Sequence, residues 1–275
     1  MPSQSPENQF QEACGYFYMP VGICISSAVD VQLVYDALSY AIDSAEILEI
    51  DNEQTKKWKE LREKLPDFHI GSDGRLLEWN EEKKEREDEL GHRHLSHLYG
   101  VFPSALFTAE TRSEQYEAAK RSLEFRLSNG GGHTGWSRAW VSCLQSRFGN
   151  SKGFYEHFIA LIKDFATITL LDLHPPKIFQ IDGNLGAVQA VIESIISFTD
   201  NKVHLLRSLP DQWREGSLEG IKVPGGHKIS LSWKDKKVTD LKIIMGYSEN
   251  VAIMQNGSCV SYSGKVGEII SGKKE

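Results

Sequence analysis

The sequence predicts a mainly α fold that gives way, near residues 200–210, to a small β module. Three observations carry that prediction. Apolar residues recur at helical spacing through most of the chain ahead of Asp200, with no repeated strand–helix alternation. Behind Asp200 the pattern shortens to alternating runs: Ile229-Ser-Leu231-Ser-Trp233, Leu241-Lys-Ile243-Ile-Met245 and Val251-Ala-Ile253-Met. Glycines and Asn256-Gly257 separate those runs, as antiparallel strands require. Lastly, a rigid turn spans His174-Pro175-Pro176-Lys177-Ile178-Phe179-Gln180-Ile181-Asp182-Gly183-Asn184, where consecutive prolines exclude both helix and central strand. The expected division is a helical domain over 1–203 and a β domain over 204–275.

Taken in order, residues 1–10 are a polar loop punctuated by Pro2 and Pro6. Ser26 or Ser27 can cap a helix from about Ala28 to Ile47, and a heavily charged second helix runs from about Glu53 to Leu65, where Pro66 stops it. Residues 70–79 read as loop broken at Gly71 and Gly74, and 81–89 as a solvated charge run. Thr111 followed by Glu114 has the form of a capping box for a helix to about Leu127. Thr134 caps Gly135 to Phe148, with Gly149 ending it, and Ser151 starts a helix to about Phe165. The last helix is expected from Leu185 to Phe198, capped by Asp182 or Asn184, giving about seven in all.

Composition narrows the classes of function. With 31 basic against 38 acidic side chains the formal charge is −7, which argues against a nucleic-acid binder. No apolar run reaches the roughly 18 residues of a membrane span. Cys14, Cys24, Cys143 and Cys259 show no CxxC spacing and form no disulfide framework.

Three sets of residues can carry chemistry. His92, His94 and His97 cluster beside Arg93; on a helix His94 and His97 would share a face and His92 would point elsewhere. Without HExxH or a cysteine pair, zinc is poorly supported, and the cluster suits hydrogen bonding to an anion or to sugar hydroxyls. No metal or cofactor is expected. Carboxylates form the second set. Glycoside hydrolysis needs a protonated carboxyl at the leaving oxygen and a base across the ring. Glu7 and Asp182, both in proline-containing loops, can converge if the helices arrange radially, although Asp182 also sits where an ordinary N-cap would. Aromatics are the third: Trp79, Trp136, Trp140, Trp213, Tyr99 and Phe179 lie in or beside glycine- and histidine-bearing loops, and sugar C–H faces pack on such rings.

Seven segments in order then resemble glycoside hydrolase family 95, the inverting α-L-fucosidases. They are Ser3 to Asn8 with Gly71 to Trp79, His92 to Pro103, Thr134 to Trp140, His174 to Gly186, Leu209 to Trp213, and Trp233 to Asp235. The resemblance implies part of an (α/α)6 barrel followed by a small antiparallel β domain. It implies Glu7 as general acid and Asp182 as the residue that orients and polarises the base. It also implies that His94, with Arg93 and His92 near it, holds fucose hydroxyls, with Trp136 and His174 as pocket neighbours. The substrate class implied is a fucosylated oligosaccharide or glycan; some members prefer α-L-galactosides.

One departure from the family pattern stands out. The family's asparagine motif, whose amide activates water with the aspartate's help, has no counterpart in these 275 residues. The chain is therefore expected to be the second half of a longer enzyme, doubtful in activity alone and completed by a chain carrying the missing half barrel. The rival expectation is a non-catalytic carbohydrate-binding remnant.

Overall fold

The computed structural model describes residues 26–79 and 90–272. Among these, six α-helices come first: α1 (Ala28–Ile47), α2 (Glu53–Glu63), α3 (Ser113–Ser128), α4 (Gly135–Arg147), α5 (Ser151–Phe165) and α6 (Ile181–Ile195). A short hairpin, β1 (Leu173–His174) with β2 (Ile178–Phe179), precedes α6 and holds the double proline at its tip. Eight further strands follow: β3 (Ile196–Thr199), β4 (Lys202–Leu205), β5 (Glu215–Lys222), β6 (Lys228–Lys234), β7 (Lys237–Ile244), β8 (Asn250–Gln255), β9 (Ser258–Ser263) and β10 (Ile269–Gly272).

Several helix starts follow the side chains expected to cap them. Ser27 accepts from the Asp30 amide at 3.4 Å and Thr134 from the Ser137 amide at 3.4 Å. At α5 the cap is Asn150, one residue before Ser151, accepting from the Gly153 amide at 3.0 Å. The Thr111–Glu114 capping box does not form. Arg112 occupies the N-cap at φ 55°, and the Thr111 hydroxyl instead donates to Asp200 Oδ1 at 3.0 Å.

The strands make two four-stranded sheets. One, ordered β10-β7-β6-β5, is antiparallel throughout; the other, β3-β4-β8-β9, holds one parallel pair, β4 with β8. The module is thus antiparallel apart from this pair. The chain leaves β4 to build the first sheet and returns alongside β4 in the same direction. Three hairpins share one turn chemistry, two central residues both at positive φ: Asp200-Asn201, Asp235-Lys236 and Asn256-Gly257.

Strand pairing begins sooner than the sequence pattern implied. The helix expected over Leu185 to Phe198 runs from Ile181 to Ile195, and Ile196–Thr199 is already β3. Apolar residues at helical spacing continue through Ile196 and Phe198, but the Asp200-Asn201 turn pairs Ile196 with Leu205 and pulls those residues into the sheet. A division between 203 and 204 passes through β4.

Among the described residues three apolar clusters result. The helical one gathers Leu76, Leu95, Leu98, Phe107, Leu123 and Leu144; the β one gathers Ile195, Val203, Ile229, Leu231, Leu241, Ile243 and Ile253; a small third joins Cys143, Phe154 and Ala190. Trp213 fastens the β cluster to the third, standing edge-on to Phe154 and Phe158 of α5 at 5.6 and 6.1 Å while its carbonyl accepts from the Trp233 indole at 2.9 Å. Deeper in the seam, Arg147 at the end of α4 grips Glu193 of α6 through two hydrogen bonds of 2.6 and 3.2 Å, and both side chains are buried.

Candidate active site

Helices α4 and α6 pack closely because small residues meet where they cross: a methyl added at Gly186 would stand 2.9 Å from Ala139 Cβ. Beside this crossing lies a cleft of about 430 Å³, with Trp136, Trp140 and Cys143 of α4 on one wall and Asp182, Leu185 and Gln189 of α6 on the other. Phe102 and Pro103 close one side.

Asp182 lies in the first turn of α6 with its side chain exposed. The N-cap is neither Asp182 nor Asn184 but Gln180, which makes no side-chain cap bond. Asn184 faces backwards instead: its amide donates to the Leu170 carbonyl at 2.6 Å, and its oxygen accepts from the Asp172 amide at 2.9 Å. Asp182 thus presents a carboxylate at the positive end of a helix, where the backbone amides favour negative charge.

A row of rings leads to the same cleft. His92 stacks on His94 at 4.9 Å and 16°, His94 leans on Trp136 at 4.8 Å, and Trp136 stands 6.4 Å from Trp140. No α-helix runs through this segment. Only Ser96–Leu98 makes a single 3-10 turn, so His92 and His94, two apart, fall on one side. His97 is buried elsewhere, 3.9 Å from Glu78, which Arg126 holds at 2.6 Å. The expectation that His94 and His97 would share a helix face is therefore corrected.

Burial fixes the charge of these rings. Desolvation, then the neighbouring His94, Arg126 and Arg93, push His92 down to about 3. Desolvation, then Arg93 and His174, push His94 down to about 4. Both are neutral at pH 7, so each offers one donor and one acceptor, the complement that a sugar hydroxyl needs. Arg93 is itself buried, and its carbonyl accepts from the Ser137 hydroxyl of α4 at 2.6 Å, which ties the histidine segment to the Trp136 helix. His174, on β1, is half-buried, and its charge would act on both His94 and Asp172.

Of the residues singled out in the sequence, His92, His94 and Trp136 form one row, and Trp136 and Asp182 share the cleft. Arg93 and His174 flank it. Glu7 lies outside the described residues. Two carboxylates escaped sequence reading. Glu78 anchors Arg126 behind the histidines. Asp172 is 2% exposed and sits against the first turns of both α4 and α6. Its only sequence signal is an acidic residue set between Leu171 and Leu173 just ahead of the double proline.

Comparison with known proteins gives two domain matches: "Glycosyl hydrolase family 95 catalytic domain" over residues 1–195 and "Glycoside hydrolase family 95, C-terminal domain" over 198–273. Among curated relatives, Alpha-L-fucosidase 2 of Arabidopsis thaliana is 31% identical over 252 residues, covering 87% of this chain and 29% of the relative. Probable alpha-fucosidase A of Aspergillus oryzae is 30% identical over 252 residues, covering 81% of this chain and 34% of the relative. The chain therefore spans about a third or less of the length of the curated relatives it matches. Among solved structures, a putative kojibiose phosphorylase from the human microbiome superposes with a TM-score of 0.53 at 12% identity, covering 90% of this chain and 36% of that one. That likeness concerns the fold: the helices are part of an (α/α)6 barrel, followed by the small β domain.

Proposed function

The chain belongs to glycosyl hydrolase family 95, and on that premise we propose that it carries part of the reaction centre of a glycoside hydrolase acting on α-L-fucosides. The observation that carries this reading is the pairing of Asp182 with Trp136 across one cleft of about 430 Å³. An aromatic wall takes the C–H face of a sugar while a carboxylate faces its reacting carbon. Neutral His92 and His94 offer hydroxyl partners at the rim, with the Arg93 guanidinium beside them and His174 nearby as a pocket neighbour.

The reaction is inverting. Glu7 gives its proton to the glycosidic oxygen, and a water aligned through Asp182 attacks the anomeric carbon from the opposite face. Asp182 works through an amide that polarises the water, and that amide is supplied by a segment other than these 275 residues. The surface around Asp182 supports such a partner: Ile181, Leu185 and Val188 of α6 are 55%, 64% and 60% exposed, apolar positions that a packed barrel would cover. A complementing chain, or the rest of a longer one, would then complete both barrel and site. The two carboxyl groups are expected roughly 6.5–9.5 Å apart, leaving room for the water.

The test is a panel of nitrophenyl α-L-fucoside, nitrophenyl α-L-galactoside and 2′-fucosyllactose, given to this chain alone and together with the N-terminal part of a family 95 relative. Fucoside turnover that needs both parts and vanishes with Asp182→Asn supports the reading. Turnover by the chain alone overturns the need for a partner. Binding of L-fucose without turnover in any combination leaves a carbohydrate-binding remnant instead.

A further inference from the structure

Asp172 has no part in the reading above, yet it is the most confined carboxyl near the cleft. It is 2% exposed, and neither carboxylate oxygen has a hydrogen-bond partner from another side chain. Two glycines make its space. A methyl at Gly135, the first residue of α4, or at Gly183, the third residue of α6, would overlap the Asp172 carboxyl group. Both helices thus begin against this one side chain. Its main chain is clamped as well, and to residues on either side of Asp182. The Asp172 carbonyl accepts from the Gln180 amide at 3.2 Å, and its amide donates to Asn184 Oδ1 at 2.9 Å.

We propose that Asp172 is a positioning residue for Asp182: its carboxyl, wedged between the first turns of α4 and α6, sets the distance between the Trp136 and Asp182 walls and the direction of the Asp182 side chain. The proposal rests on the fucosidase reading for its purpose and on packing for its substance. Asp172 touches no substrate. Two helix N-termini favour a negative charge at this point, while burial and the neighbouring Asp182 oppose one and raise the Asp172 carboxyl to about 6. Below that pH the wedge is a neutral acid, and above it the wedge carries a charge beside Asp182. Charged and titratable groups facing Asp172 are therefore Asp182 on α6 and His174 on β1.

Two measurements separate this from a structural role and from the reading it rests on. The first needs no turnover: carbon-13 NMR titration of the aspartate carboxyls in this chain. The Asp172 resonance is expected to titrate near pH 6, and its midpoint to move down toward the ordinary aspartate range in Asp182→Asn. An unmoved midpoint overturns the coupling. The second uses whichever assembly turns over nitrophenyl α-L-fucoside. Asp172→Ala, which empties the wedge, is expected to lose about tenfold or more in kcat with KM within about twofold, and Asp172→Asn, which keeps the shape, to recover most of that kcat with a changed acid limb of the pH profile. Asp172→Ala with parent kcat, or Asp172→Asn no better than Asp172→Ala, overturns positioning. If no assembly turns over the fucoside, the functional reading fails, and the titration still decides whether the two carboxyls are coupled.

Discussion

The two halves of α6 are built for different tasks. From Ile181 to Val188 the helix is open: Ile181, Leu185 and Val188 are more than half exposed, and Asp182 faces a cleft. From Ala190 to Ile195 it is closed, with Ala190 and Ile195 buried and Glu193 locked to Arg147. One sequence periodicity runs through both halves, so apolar spacing does not distinguish them. What differs is the partner. The distal half has α4, α5 and the β module against it, while the proximal half meets α4 at Gly186 and Asp172 at Gly183 and leaves Ile181, Leu185 and Val188 exposed. Asp182, the carboxylate of the proposed site, thus sits at the open end of a helix whose far end is ordered.

The largest effect that would break this contrast is expected in the closed half. Glu193→Ala leaves the Arg147 guanidinium buried without its carboxylate and is expected to cost about 3–5 kcal/mol, read from urea denaturation midpoints. Replacing both residues by apolar ones of similar volume, Arg147→Met with Glu193→Leu, is expected to recover most of that loss. A loss under about 1 kcal/mol for Glu193→Ala would mean that this end is not the anchor.

At the junction of the halves, Gly183→Ala drives a methyl into Asp172 and is expected to cost about 1–3 kcal/mol through overpacking. Asp172→Ala in the same chain frees the space and should return the melting temperature toward that of the parent. Failure of the pair to compensate would remove the wedge from the account.

The open half should respond in the opposite way. Trp136→Ala is expected to change stability by less than about 1 kcal/mol, because the ring is partly exposed and faces the cleft. L-Fucose affinity, followed by calorimetry, is expected to fall about tenfold, or about 1.4 kcal/mol. A stability loss without an affinity loss would make the ring core rather than site.

The smallest effect is a slope with pH. His92, His94 and His97 are held by burial below the ordinary histidine range, at about 3, 4 and 3. The unfolded chain takes up protons near pH 6.5 and the folded chain does not until far lower. Stability is therefore expected to fall as pH drops from about 6.5 toward 4. Asp172 contributes the reverse sign: raised to about 6, it costs most above that pH, and the cost disappears as pH falls toward its ordinary value. His92→Asn with His94→Asn should flatten the decline, measured as urea midpoints at successive pH values.

Much of the arrangement was legible in the residues, and the exceptions have physical reasons. Ser27 and Thr134 cap the helices expected of them; the Ser27 hydroxyl accepts from the Asp30 amide while it donates to the Asp30 carboxylate at 2.6 Å, a partner within the same turn. Thr111 was misread because Asp200, distant in sequence, takes its hydroxyl. Asn184 was misread as a cap because its amide serves the Leu170 and Asp172 backbone across the hairpin. The histidines were legible as a cluster but not as a stack, since the absence of helix there depends on the packing of Leu95 and Leu98. Asp172 was invisible, because nothing local tells that two glycines far apart in the chain, Gly135 and Gly183, make room for one carboxyl.

Helix α6 ends at Ile195 and β3 begins at Ile196, with no linker between them. Sheet and helix are thus one uninterrupted stretch of chain, joined where Arg147 grips Glu193, so the strand that opens the β module also fixes where the rod carrying Asp182 starts.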